Sequence, residues 1–454
     1  MTAADLAAAP PRATRSGRWG WMLFDWAAQP FHTLLLTFIF GPYFVSAVAS
    51  DPVMGQADWT LMLSITGLLI AFSAPVLGAV ADAAGPRKPW IAAFSVPFAL
   101  GACAVWFATP GMTSTLPILL AFAVAMIGVE FAAVFNNAML PTLVPRAEVG
   151  RLSGNGWALG YLGGLVSLFV MLILMVAPAG GTTTYVGLEP IFGLDPAMRE
   201  GDRASGPLAA LWYIVFIVPF FLYTPDVARR GAPGAAVKGG LASLRGTLRA
   251  LPSRKSLLNF LVASMLYRDG LNALYGIGGI YAAGVIGLTT TDLAIFGILA
   301  AAIGALGAWL GGKLDVALGP KPVVAGSILL LIAATVLVIA TDATSVFGVA
   351  VGQGVPALVF YGAGCLIGAG GGALQAASRN LLVCQADDDE MTEAFGLYAL
   401  SGKATAFLAP FLIYVFTSLS GSQRIGVAPI VLLLVAGLVM LPWVKARGVE
   451  ERRA

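Results

Sequence analysis

Apolar residues gather in twelve stretches, at 20–48, 59–81, 88–109, 115–140, 154–177, 207–224, 257–284, 293–315, 322–341, 356–384, 394–418 and 426–444. Each runs to about 18 residues or more, enough to cross the hydrocarbon core of a bilayer as a helix. The pattern predicts an all-α polytopic membrane protein with twelve transmembrane helices. Two connections are long. Residues 178–206, with Gly181, Thr182, Thr183, Thr184, Pro190 and Pro196, form an external loop. Residues 226–256 form a basic linker, with a short surface helix expected around Leu241–Leu251. A tether rich in cations explains this linker without a lipid-sensing role.

A pattern at the ends of the second and eighth stretches divides the chain further. Gly78-x-x-x-Asp82-x-x-Gly85-Pro86-Arg87-Lys88 closes one, and Gly311-x-x-x-Asp315-x-x-x-Gly319-Pro320-Lys321 closes the other. Each sets a glycine one helical turn before an acid, then a Gly-Pro break, then basic residues. A repeat of this kind implies two homologous halves of six spans, related by an axis along the membrane normal. The expected organisation is a tail at 1–18, a six-helix bundle at 19–225, the linker at 226–256, a second bundle at 257–445 and a tail at 446–454.

Polar residues inside the apolar stretches are the candidate chemistry, because charge is expensive there. Asp25 and His32 lie seven residues apart on the first stretch, and Glu130 and Asn137 repeat that spacing on the fourth. The seventh carries Arg268, Asp269 and Asn272, the tenth Gln375, Ser378 and Arg379, and the eleventh Lys403. Four of these five stretches are numbers 1, 4, 7 and 10, equivalent positions under a six-plus-six repeat. Asp25, Glu130, Asp269, Gln375 and Lys403 also fall at similar depth, roughly 9–18 Å from the cytoplasmic end at 1.5 Å per residue. Such a layer predicts a shared polar cavity for substrate and protons.

Composition agrees: 58% of residues are apolar and 11% charged, against roughly 45–50 and 25% in soluble domains. The net charge of +3 says little, but its distribution is one-sided. Arg87, Lys88, Arg146, Arg151, Arg229, Arg230, Arg245, Arg254, Lys321, Lys445 and Arg447 fall on the side of the termini, and only Arg199, Arg203 and Arg424 on the other. Both termini are therefore expected in the cytoplasm. The first residues are polar and basic (Arg12, Arg15, Arg18), unlike a secretory signal. Cys103, Cys365 and Cys384 lie in apolar stretches and imply neither a disulfide framework nor a metal cluster. There is no Gly-x-x-x-x-Gly-Lys-Ser/Thr loop for nucleotide-driven pumping, and one histidine suggests no zinc site. The expectation is a protein that is not an enzyme and needs no cofactor or nucleic-acid partner.

The doubled loop motif resembles the signature of the major facilitator superfamily. Within it, the chain resembles the vacuole-effluxer-like branch, whose bacterial members are called unknown major facilitators. The matching stretches are Asp25-Trp26-Ala27, Gly78 to Lys88, Glu130-Phe131, Gly154-x-Gly156-Trp157-Ala158-Leu159-Gly160-Tyr161-Leu162-Gly163-Gly164, Tyr267-x-Asp269-Gly270, Gly371-Gly372 with Gln375 and Ser378-Arg379, Phe395-Gly396-Leu397-Tyr398, Gly402-Lys403 and Gly421-Ser422-Gln423-Arg424. The chain departs from the branch at Ala28-Gln29, where Asn-Ser is usual, at Ala83 in the loop motif, and at Ala394 before Phe395. The resemblance implies efflux of amino acids in fungal relatives, without fixing a substrate here.

Plainer roles stand beside these. Asp82 with Arg87 and Lys88 would stabilise one conformation through charge pairing at a helix end. Arg379 could pair with the acidic run Asp387-Asp388-Asp389-Glu390, His32 could be packing, and Asp25 a helix cap. Asp269 could be ion-paired with Lys403 or Arg268, and Asn136 and Asn137 could be interhelical glue. A carboxylic acid in low dielectric can exchange a proton near neutrality, which makes Glu130 and Asp269 the candidate proton carriers. No carbonyl-rich helix break is legible, so protons are preferred to sodium.

The expected function is secondary active transport of a small polar or zwitterionic solute by alternating access, proton-coupled and outward, through a monomer in a bacterial cytoplasmic membrane. Alternatives are transport of a lipid or amphipathic metabolite, and a non-transporting assembly factor or sensor on the same fold.

Overall fold

The computed structural model describes residues 13–50, 52–178, 180–228, 233–288, 290–387, 390–406, 408–420 and 422–446. Arg12, Arg229, Arg230, Asp388, Asp389 and Arg447 lie outside the described residues, as does the side chain of Lys403. The first half of the chain builds α1 (Arg15–Pro30), α2 (Pro52–Ala84), α3 (Lys88–Ala104), α4 (Leu116–Leu143), α5 (Arg146–Leu174) and α6 (Ser205–Tyr223). The linker carries α7 (Pro233–Ala250), longer than the helix expected there. The second half builds α8 (Lys255–Tyr281), α9 (Thr290–Leu318), α10 (Pro320–Ile339), α11 (Val355–Val383), α12 (Met391–Ala404), α13 (Leu408–Ser420) and α14 (Pro429–Met440).

Among the described residues, ten helical segments are long and apolar enough to cross a membrane. The other two expected stretches are also helical. The seventh (α8) carries Arg268, Asp269 and Asn272 in its middle, and the eleventh is divided into α12 and α13. Outward-facing side chains are apolar: Leu61, Ile65, Leu68 and Phe72 form an exposed stripe along α2, the reverse of a helix facing water.

Several ends have local causes. The Thr14 hydroxyl accepts the N–H of Gly17 at the start of α1, an N-cap. Pro30 removes the donor that would have bonded Trp26 O, and the indole Nε1 of Trp212 donates to that carbonyl at 3.1 Å instead. The chain then continues as π-helix over Phe31–Phe38 and Phe44–Val48. α8 likewise passes into π-helix at Ala282–Ile286 and stops at Gly287, φ +80°. Gly85 (φ +102°) and Gly319 (φ +83°) make the turns before α3 and α10, in a region costly for any residue with a Cβ. Asp226 accepts the N–H groups of Arg87 and Lys88, at 3.0 and 2.8 Å, at the start of α3.

The chain packs as two compact units. Met1–Ser73, Ala84–Leu143 and Leu159–Pro233 make the first; Ala74–Ala83, Val144–Ala158 and Gly234–Ala454 make the second. The second thus takes in one end of α2 and one end of α5. Buried Phe31, Phe98, Phe122 and Tyr213 centre the first unit, with the Phe31 and Phe122 rings 5.2 Å apart. In the second, the Tyr281 and Phe360 rings stack at 6.4 Å. A small antiparallel hairpin, Ser345–Val346 with Val349–Ala350, joins α10 to α11. Phe347 and Gly348 have positive φ at its tip, as two-residue hairpin turns require.

Candidate functional site

In the first unit, Asp25 is half-buried on α1. A Cβ built at Gly160 of α5 would stand 3.3 Å from the Asp25 Cβ, so glycine allows the two helices to close beside the acid. Gly163 admits the Trp26 backbone in the same way, and the Trp26 ring stacks on Trp212 at 5.5 Å. His32 falls in the π-helical segment, half-buried, edge-on to the Phe31 ring at 5.3 Å. Glu130 and Asn137 are both half-buried on α4, two turns apart on one face. Asn136 beside them is fully buried. Its carbonyl accepts the Trp21 indole N–H at 2.8 Å, and its carboxamide has no hydrogen-bond partner among the described residues.

In the second unit, three consecutive residues of α8 reach three different neighbours. The hydroxyls of Tyr267 and Ser378 hydrogen-bond at 2.8 Å. Arg268 donates to Tyr398 O at 2.8 Å, with its guanidinium 4.0 Å over the Tyr398 ring. Asp269, buried, accepts the backbone N–H of Ala409 at 3.0 Å. Of the two cations expected as partners for Asp269, Arg268 turns to a carbonyl and a ring, and the side chain of Lys403 lies outside the described residues. Asn272 is exposed and Gln375 half-buried. Arg379 is buried; Nε donates to Ser153 Oγ and Nη2 to Ser153 O, each at 3.0 Å, and its guanidinium lies 5.4 Å from the Trp157 ring. Ser153 donates in turn to Ala376 O at 2.9 Å. Glu390, the last of the acidic run, pairs with Arg254 at 2.5 Å.

The acids of the two loop motifs stand in related arrangements within this unit. Asp82 is buried and accepts the N–H groups of Thr392 (3.2 Å) and Glu393 (2.8 Å), in the first turn of α12. Gly78, one turn earlier, has the Thr392 carbonyl where a Cβ would sit. Asp315, also buried, accepts from Asn380 Nδ2 at 2.9 Å; its other oxygen has no hydrogen-bond partner among the described residues. Its carboxyl fills the space above Gly150 near the start of α5. Both acids thus stand beside a helix N-terminus, where negative charge is favoured. Gly311 packs on Ala373, and Gly312 and Gly154 bring α9 and α5 to backbone distance. Arg87, buried, donates to Gly85 O at 2.9 Å, and Lys321 donates to Pro442 O at 3.3 Å.

Ser153 and Asn380 belong to this constellation although the sequence did not single them out. Asn380 directly follows Arg379, and Ser153 precedes the glycine run of α5 by one residue, so adjacency to marked positions was the available signal.

The fold and the family agree. The solved proton:xylose symporter XylE shares 13% identity with a TM-score of 0.66, over 95% of this chain and 94% of that one. The human organic anion transporter MFSD10 shares 16% identity with a TM-score of 0.66, over 94% and 99%. In sequence, the "Uncharacterized MFS-type transporter YxiO" of Bacillus subtilis is 24% identical over 427 residues, covering 93% of this chain and 94% of the relative. Autophagy-related protein 22 of Cryptococcus neoformans is 26% identical over 322 residues, 67% of this chain and 53% of that one. The model of vacuole effluxer Atg22-like proteins matches residues 56–452. With that match the chain, a multi-pass membrane protein of the major facilitator fold, belongs to the Atg22-like family of transporters.

Proposed function

We propose that this protein is a secondary active transporter for a small polar or zwitterionic, amino-acid-like solute. It works outward by alternating access, coupled to protons, in a bacterial cytoplasmic membrane with both termini inside. The observation that carries this reading is Glu130, a half-buried carboxyl deep within the 28-residue α4, whose neighbours Val129 and Phe131 are buried and apolar. An ionisable group at that depth costs about 2.5–3.5 kcal/mol on insertion scales, so it persists where function uses it. Asp25 on the same unit supplies a second acid, and an amino-acid-like solute is the class that the family resemblance implies. The direction follows the family's description as an effluxer, and proton use follows the printed activity of XylE. The one-sided cations support the orientation.

The test begins with metabolite profiling of a deletion strain and continues in vesicles holding the full-length protein and the solute so identified. Glu130→Gln is expected to abolish solute-driven proton movement while exchange of labelled solute persists, because exchange needs no net protonation cycle. Proton movement at the wild-type ratio in both Glu130→Gln and Asp269→Asn would remove the proton role from these residues and move it to Asp25 with His32. Full tolerance of Glu130→Gln combined with Asp269→Asn would favour the non-transporting alternative.

A further inference from the structure

The division of the eleventh apolar stretch has a cause in the sequence and an answer on the neighbouring helix. α12 ends at Ala404 and α13 begins at Leu408. Pro410 is the third residue of α13; it has no N–H, and its ring conflicts with the carbonyl four residues earlier, that of Ala406. A proline at such a place kinks or breaks a helix; here α12 ends before it and a separate helix begins at Leu408. An interruption leaves unbonded carbonyls on one side and unbonded N–H groups on the other, in surroundings that offer little water.

Adjacent residues of α8 reach both half-helices, although the carbonyl that Arg268 meets lies inside α12 and also accepts the Ser401 hydroxyl. Arg268 lies along the last turns of α12, donating to Tyr398 O at 2.8 Å and occupying the space a side chain at Gly402 would need. Asp269 accepts the Ala409 N–H at 3.0 Å in the first turn of α13. In an unbroken helix that N–H would bond to the Thr405 carbonyl; here that carbonyl accepts instead from the N–H of Leu408 at 2.7 Å. The signs match: a cation at the helix end carrying partial negative charge, an anion at the end carrying partial positive charge.

We propose that Arg268 and Asp269 are positioning residues that clamp the two half-helices, and that the break between Ala404 and Leu408 is a hinge on which α13 moves relative to α12. The clamp stands on geometry alone; the use of the hinge in a transport cycle rests on the alternating-access reading above. Asp269 then acts through the backbone it holds, while Glu130 keeps the proton role.

Amide hydrogen exchange of the full-length protein in lipid nanodiscs tests the clamp without a known solute. Asp269→Ala is expected to raise exchange at Leu408 and Ala409 by about tenfold, the factor that a lost hydrogen bond of ordinary net strength corresponds to. Asp269→Asn, whose amide oxygen still accepts, should raise it less. Exchanging the two residues, Arg268→Asp with Asp269→Arg, keeps the net charge but offers each helix end the wrong sign, and should be worse than either single change. Wild-type exchange at Leu408 and Ala409 in Asp269→Ala would overturn the clamp, as would rescue by the exchanged pair. Loss of solute movement in Asp269→Ala with unchanged amide exchange would overturn it while leaving the transporter reading intact.

Discussion

The carboxylate of Asp82 holds the backbone N–H of Glu393 at 2.8 Å, across 311 positions of sequence. A second bond to Thr392 N makes it a two-point cap on α12, supplied by the end of α2. Capping acids contribute about 0.5–2 kcal/mol. Asp82→Ala should therefore lower the apparent Tm of the detergent-solubilised protein, and Asp82→Asn, which keeps an acceptor but no charge, should lower it less. Equal melting of both variants with the wild type would show that the cap is energetically idle.

Glycine-to-alanine changes should have opposite signs at two positions. At Gly154 a Cβ would meet the Gly312 Cα and the Ala308 carbonyl at 2.6 Å, an overpacking worth about 1–3 kcal/mol. At Gly246, on α7, nothing lies within 4 Å, and alanine there should stabilise the helix by about 0.5–1 kcal/mol. Thermal unfolding of the two variants side by side checks the sign; loss of stability in both would mean that glycine flexibility matters more than space.

Ser153 and Arg379 should be coupled. Both are buried, and the guanidinium reaches the serine through two separate donors. Hydrogen bonds to charged groups are worth about 1.5–3 kcal/mol. A double-mutant cycle of Ser153→Ala and Arg379→Gln, read by unfolding in SDS, should return a coupling in that range, reduced by the Ser153 carbonyl bond, which survives the serine change. Additive losses would dissociate the pair.

The loop between α10 and α11 should be insensitive to mild acid. Asp342 accepts from the Ser345 hydroxyl at 2.7 Å and from the N–H groups of Thr344 and Ser345, and it pairs with Arg424 at 2.9 Å. The hydroxyl first and then the backbone donors hold its carboxyl down at about 2. Because the folded value is depressed below the ordinary Asp value of about 3.9, its contribution is fully present above that value and is lost as pH falls through about 2. Limited proteolysis at 341–351 should stay constant from neutral pH to about 4 and rise below it, and Asp342→Asn should flatten the profile. A transition between pH 5 and 7 would place control elsewhere.

Much of the architecture was legible because a bilayer imposes one rule on every span. The apolar windows, the two loop motifs and the polar positions on α1, α4, α8 and α11 could be read without coordinates. The interruption between Ala404 and Leu408 could not, since a hydropathy window averages over a short break as if it were helix; Pro410 was a local hint. The π-helical turns after Pro30 were hidden for a related reason, as their replacement donor, Trp212, lies 186 positions away from Trp26. Directions of side chains were also out of reach. Arg268 stood beside Lys403 as a possible partner of Asp269 in one dimension, yet neighbouring residues on a helix diverge by about 100° at 3.6 residues per turn, and Arg268 and Asp269 each reach a different neighbour.

The turns at Gly85 and Gly319 offer no side chain for chemistry, yet their backbone angles exclude most of the amino-acid alphabet. In a saturation library they should therefore be as intolerant as Asp82 or Glu130, but for stereochemistry and not chemistry. A map of mutational tolerance taken alone would nominate them as active positions. Setting φ beside tolerance separates letters that shape the path of the chain from letters that work on a cargo.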